Sequence, residues 1–182
     1  MKHPFLFPIR PFLSIISALF IVSAIPGCNK RDIHDARKID VSEILNADTG
    51  LVDKESVTGH VLIFVKWTDF NCGTCFDSFH EVVTAISDLY EHRRLSMDVF
   101  MIASLQENEE TTRRIVEGTV RSRGWKIPRF FVEQGYFVKN NLHKSSIAIV
   151  TTQNEVKMIH EFPLKPDEAR KFFGELIKVG YK

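Results

Sequence analysis

From Gly59 onward the chain alternates between short, dense apolar runs and longer stretches in which apolar residues recur every three or four positions. Val61 to Trp67 is the first dense run and predicts a strand. Thr74 to about Arg93 predicts a helix, with Phe76, Phe79, Val82, Val83, Ile86, Leu89 and Tyr90 on one stripe. Met97 to Ala103 is too uniformly apolar for a half-wet strand, which places it inside a sheet covered on both faces. Asn108 to Arg123 reads as a polar helix carrying Ile115, Val116 and Val120, and Glu107, Asn108, Glu109 and Glu110 cap and charge its start. After a turn at Gly124, Ile127 to Val132 is a short strand containing Pro128. Ile147 to Thr151 and Val156 to Phe162 are two strands joined by a tight turn at Gln153 and Asn154. Pro166 to Val179 is a closing helix, with Pro166 near its start and Phe172, Phe173, Leu176 and Ile177 facing inward. The order βαβα, then β, a short connection and ββα calls for an α/β fold, a mixed central sheet flanked by helices.

The N-terminal segment has a different pattern. Lys2 and Arg10 supply positive charge, Phe12 to Ile25 is almost entirely apolar, and Ile25-Pro26-Gly27-Cys28 puts a small residue directly before a cysteine. This resembles a bacterial lipoprotein signal, although Pro26 stands where a small residue is usual. The resemblance implies a signal peptide over residues 1–27, lipid attachment (palmitate) at Cys28, and a bacterial cell-envelope protein anchored to a membrane and facing the periplasm or exterior. An uncleaved anchor and a plain signal peptide are the other readings; the apolar stretch is short against the roughly 20 residues that span a bilayer. All three export the protein. Residues 28–40 are polar and read as a lipid-attached linker, and the folded domain covers 41–182, with Val41, Ile44 and Leu45 suggesting a short helix or strand at its start.

Cys72-Gly73-Thr74-Cys75 lies where the first strand gives way to the first helix. A helix N-terminus offers free N–H groups and the positive end of the helix dipole, which together stabilise a thiolate, so Cys72 is the expected nucleophile. Cys75, one turn on, can attack a mixed disulfide at Cys72 and resolve it. With Cys28 assigned to lipid, only this pair remains, and a structural disulfide framework is excluded. A redox-active Cys72–Cys75 disulfide is then the only cofactor-like group expected. Lys plus Arg at 24 against Asp plus Glu at 23 leaves no field to attract nucleic acid, and most of the 15 Phe fall in predicted elements as core.

The element order with Cys-x-x-Cys after the first strand resembles the thioredoxin fold. It is more similar to the membrane-tethered thioredoxin-like thiol-disulfide oxidoreductases, including those of cytochrome c maturation, over about Val57 to Ile177. Gly59-His60 stands where that group has Gly-Lys, and the helix at Asn108 to Arg123 with the Pro128 strand matches its extra helix-strand insertion. The resemblance implies reduction or oxidation of disulfides of envelope proteins, with protein thiols or disulfides and an upstream membrane or periplasmic reductant as partners. It implies a substrate groove at Asn71, Gly73, Thr74, Ser145 and Ser146.

Four positions depart from the family pattern. Asn71 replaces the Trp before the first cysteine, which makes that surface more polar, and Thr74 replaces the Pro between the cysteines. Lys66 replaces a buried acid and is expected to point to solvent or snorkel. Ser145 or Ser146 replaces a cis-proline facing the cysteines, and a non-proline peptide there is expected to be trans because cis costs about 2.5 to 4 kcal/mol. Asp69 and Asp77 are expected as solvated carboxylates, and Trp67 and Trp125 as core or groove-edge aromatics. Two other functions fit the same residues. Thioredoxin-like copper-delivery proteins suggest metal binding by Cys72, Cys75 and His143, with His80 as the substitute ligand; a non-catalytic binding module is the other.

Overall fold

A computed structural model describes Lys38, Ile39, Val41, Ile44 and residues 58–180, except Cys72, Gln106 and Glu107. The signal segment, Cys28 and most of the linker lie outside the described residues. In chain order the elements are β1 (Gly59–Val65), a 3-10 turn (Trp67–Phe70), α1 (Gly73–Glu91), β2 (Asp98–Ser104), α2 (Glu109–Arg123), β3 (Arg129–Val132), α3 (Gln134–Lys139), β4 (Ser146–Thr151), β5 (Val156–Glu161) and α4 (Pro166–Gly180).

Every residue of β1 is buried, so the strand needs partners along both edges and cover on both faces. The sheet order β3-β2-β1-β4-β5 supplies the edges. β2 pairs with β1 in parallel, Val61 opposite Val99 and Ile63 opposite Met101, while β4 is antiparallel, Leu62 opposite Ala148 and Phe64 opposite Ser146. β3 joins β2 in parallel and β5 joins β4 antiparallel, giving the mixed sheet the pattern predicts.

Strand alternation sorts the cover. On one face Val61, Ile63 and Val65 share a core with Phe79, Val83 and Ile86 of α1, Val116 and Val120 of α2, and Phe172 and Leu176 of α4. On the other, Leu62 and Phe64 meet Tyr136 and Phe137 of α3, together with Ile39, Val41 and Ile44. Ile39, read from sequence as linker, is buried in this core and Lys38 bridges Glu155, so the packed chain reaches back past Val41.

Local chemistry sets the ends of these elements. Asn108 caps α2 by accepting from Thr111 N at 3.0 Å; Glu109 and Glu110 follow in the first turn, Arg121 and Arg123 occupy the last, and Gly124 closes the helix at φ 69°. The β4–β5 turn falls at Asn154 (φ 65°), and the Thr151 hydroxyl accepts from the N–H groups of Gln153 and Glu155 at 3.2 Å each.

Two further expectations are corrected. The short connection after β3 is a helix, α3; its Tyr136 and Phe137 are buried while Val138 is 72% exposed. Ile177 is 56% exposed, because Phe172 and Leu176 already define the inward line of α4 and the next residue turns about 100° away.

At the base of β1 two residues carry consequences. A Cβ on Gly59 would stand 2.5 Å from the Val150 carbonyl oxygen, a backbone atom fixed in β4. One on Gly180 would meet only the flexible Met97 side chain, its Sδ at 2.6 Å. Gly59→Ala should therefore cost about 1–3 kcal/mol in urea unfolding, and Gly180→Ala clearly less.

His60 is buried beside Phe100, and its Nδ1 lies 3.9 Å from Asp98 Oδ2, too far for a hydrogen bond. Burial lowers its pKa, so the unfolded chain binds the proton more readily. The stability owed to neutral His60 is complete above about pH 6.5, the ordinary imidazole value, and is lost as pH falls toward the lowered folded value. Melting temperatures across that window should fall less steeply for His60→Gln than for the native chain.

Candidate functional site

The candidate site lies at the C-terminal end of β1. The chain leaves the sheet after Val65, passes Lys66, and turns through Trp67–Phe70, where the Asp69 N–H donates to Lys66 O at 2.9 Å. Asn71 follows, exposed, and α1 begins at Gly73, the residue after Cys72 in the sequence. Cys72 itself lies outside the described residues. Cys75, half-buried in the first turn of α1, is disulfide-bonded. Gly73 and Thr74 are exposed, and among the described residues a Cβ on Gly73 would meet nothing within 4 Å. The first turn of α1 holds no acidic residue.

Opposite this loop stands Ser145, fully buried directly before β4. Its hydroxyl accepts from Lys66 N at 2.8 Å, and its single proton faces two acceptors, Asp69 Oδ2 at 2.9 Å and Lys66 O at 3.1 Å. The Ser145 N–H donates to the same Asp69 Oδ2 at 2.6 Å, and Ser145 O accepts from Phe162 N at 2.9 Å. Among the described residues the only cis peptide is Phe162–Pro163, so Ser145 and Ser146 are joined to the chain by trans bonds.

Ser145 and Ser146 face opposite ways. Ser146 lies opposite Phe64, on the sheet face away from α1, buried, and its Oγ has no hydrogen-bond partner among the described residues. Both serines are buried, so neither lines an open groove as the sequence reading expected; Ser145 is the one turned toward the cysteine loop.

Asp69 is not the solvated carboxylate that sequence suggests; it is the acceptor for both Ser145 donors. A buried serine brings two donors into a dry place, and the nearest carboxylate before the cysteine pair was the signal that could have identified their acceptor. Lys66 does not end free in solvent: its Nζ donates to His143 O at 2.9 Å. His143 and Lys144 are exposed, and Lys144 Nζ lies 3.7 Å from Glu161. Asp77 is exposed, as read from sequence.

The polar surface expected from Asn71 is flanked by a cluster of half-buried rings. Trp67, Phe70 and Phe76 meet edge to face with centroids 5.9–6.2 Å apart, and Arg123 lies over Phe76 at 5.6 Å. Trp125 is core, its Nε1 donating to Thr84 Oγ1 at 2.9 Å. His80 sits between Phe76 and Trp125; burial and then Arg123 lower its pKa, outweighing Asp77 and Glu81. Among the described residues no group of three or more His, Cys, Asp or Glu is placed to hold a metal, and no helix is long and apolar enough to cross a membrane.

The five-stranded mixed sheet, with a cysteine-bearing helix following its central strand and a β-hairpin and helix completing it, defines a thioredoxin-like fold. Two solved structures share it. One is of a thiol:disulfide interchange protein DsbE from Chlorobium tepidum, at TM-score 0.51 and 12% identity, covering 68% of this chain and 81% of that one. The other is of a thiol-disulfide isomerase from Corynebacterium glutamicum, at TM-score 0.51 and 16% identity, covering 69% and 85%. No protein-family model and no curated protein matches the chain.

Ser145→Ala keeps the N–H bond to Asp69 but leaves the Lys66 N–H without its acceptor, and should lower stability by about 1–3 kcal/mol. Ser145→Pro removes both donors and the acceptor together. Urea midpoints should fall in the order native, Ser145→Ala, Ser145→Pro.

Proposed function

We propose that this chain is an exported thiol-disulfide oxidoreductase working through Cys72 and Cys75. The observation that carries the reading is the disulfide-bonded, half-buried Cys75 in the first turn of the helix that follows the central strand. The remaining cysteines are Cys28 and Cys72, and we assign the partner as Cys72, three residues earlier in the sequence and directly before Gly73. The helix N-terminus and a first turn without acid favour a thiolate at that position. The two solved structures of similar fold carry thiol-disulfide names, which supports the same class of chemistry.

In the reducing direction the Cys72 thiolate attacks one sulfur of a substrate disulfide, forming a mixed disulfide and releasing one substrate thiolate. The Cys75 thiolate then attacks the Cys72 sulfur, forming the Cys72–Cys75 bond and releasing the second. Two electrons pass to the substrate, and a membrane or periplasmic dithiol restores the pair by the same exchange. The reverse sequence oxidises a substrate dithiol. We place the protein at the cell envelope, held by lipid on Cys28, with envelope proteins as substrates.

In Cys75→Ser the resolving step is lost, so mixed disulfides with envelope proteins should accumulate and appear as reducible high-mass bands on non-reducing gels. Cys72→Ser should show none. The native couple should titrate between about −120 and −270 mV. No adducts in Cys75→Ser, together with a bridge stable below about −300 mV, would reduce the pair to a structural staple.

A further inference from the structure

Resting on that redox reading, we propose that Asp69 and Ser145 form a latch that positions the cysteine loop against the start of β4, making Asp69 a positioning residue for exchange with extended polypeptide disulfides. The segment before the cysteines is tied to residues 143–145 at both ends, and side chains make every tie. Lys66 is held through its backbone by the Ser145 hydroxyl and through its Nζ by His143 O. Asp69 is held by the Ser145 N–H and hydroxyl, at 2.6 and 2.9 Å. Between them the turn closes on itself through Asp69 N to Lys66 O. Asp69 stands three residues before Cys72 in the sequence, so a shift of this turn moves the chain that carries the nucleophile.

The chemistry of Ser145 makes the carboxylate necessary. A proline there would bring no N–H; serine brings an N–H and an O–H into a site with no solvent exposure. A single carboxylate oxygen can accept both, and Asp69 Oδ2 does. Without it the two donors lose their shared partner, and the loop loses its attachment to β4.

Different reagents sense this attachment differently. A small dithiol can reach the disulfide past exposed Asn71, Gly73 and Thr74. Four extended residues already span about 13 Å, so a polypeptide approaching the same sulfur also meets exposed His143 and Lys144, beside Ser145. Its reaction depends on how the two segments are placed relative to each other, and small misplacements of reacting groups have large kinetic effects.

The test uses the full-length protein in detergent and compares two reagents, dithiothreitol and a synthetic ten-residue peptide closed by a cystine. Asp69→Ala should slow exchange with the peptide at least about tenfold while leaving reduction by dithiothreitol nearly unchanged. Asp69→Asn, whose amide oxygen can still accept, should restore the peptide rate. An equal loss with both reagents, an unchanged peptide rate in Asp69→Ala, or an Asp69→Asn as slow as Asp69→Ala would each overturn the latch. If Asp69→Ala does not fold, Asp69→Leu, of similar shape and without an acceptor, carries the same comparison, with selective loss of the peptide reaction expected and equal loss or no loss overturning it. Native protein that exchanges with neither reagent overturns the redox reading and the latch with it; native protein that exchanges normally while the variants match it overturns the latch alone.

Discussion

The dry end of β1 is the constraint on which the site rests. The strand is buried along its whole length, and its ladder with β4 runs out at Phe64 opposite Ser146. One step further the Lys66 backbone still carries an N–H and a C=O in half-buried surroundings, and both require partners. The C=O can accept from the Asp69 N–H, and the Ser145 hydroxyl oxygen can accept from the Lys66 N–H. Neither alanine nor proline could. The choice of residue before β4 therefore answers to the backbone of β1 before any chemistry is considered.

That choice has a consequence 76 positions earlier in the chain. The Ser145 N–H also needs an acceptor, and Asp69 provides it. A buried donor left unpaired costs about 1–3 kcal/mol, against a total stability of roughly 5–15 kcal/mol for an ordinary domain. Positions 69 and 145 are thus coupled, and neither can vary alone without a measurable penalty. The serine before β4 and the aspartate in the cysteine loop therefore act as one unit.

Much of the fold was legible because its signals are periodic. The dense runs at β1 and β2 and the stripes of α1, α2 and α4 needed only local counting, and the cap at Asn108 and the turn at Asn154 carry side-chain signatures. What escaped were features too short or too distant for a pattern. α3 spans six residues, less than two full turns, with two adjacent rings inside and no stripe to count. Ile177 was assigned inward by composition, although Leu176 already occupied the inward line. The role of Asp69 depends on a residue across the sheet, and nothing within its own neighbourhood distinguishes it from a surface carboxylate. Between Ser145 and Ser146 the decision was made by register: one step along β4 reverses the face, and only pairing with β1 fixes which serine meets the loop.

The same limitation applies to the apolar surface beside the cysteines. Position by position, Asn71 in place of Trp predicts a polar rim, and Asn71 is indeed exposed. Yet the rings of Trp67, Phe70 and Phe76 converge from both sides of the Cys-x-x-Cys in sequence, two from the turn before it and one from the helix after it. They remain half-buried, because the turn packs them on one another and on Phe79 and does not close them into the core. An apolar contact surface is a property of a cluster, so losing its usual residue at one position does not remove it when three neighbours supply the area. The serine–aspartate pair and the aromatic cluster follow one logic: each is built from several residues, distant or separated in sequence, that the fold brings together.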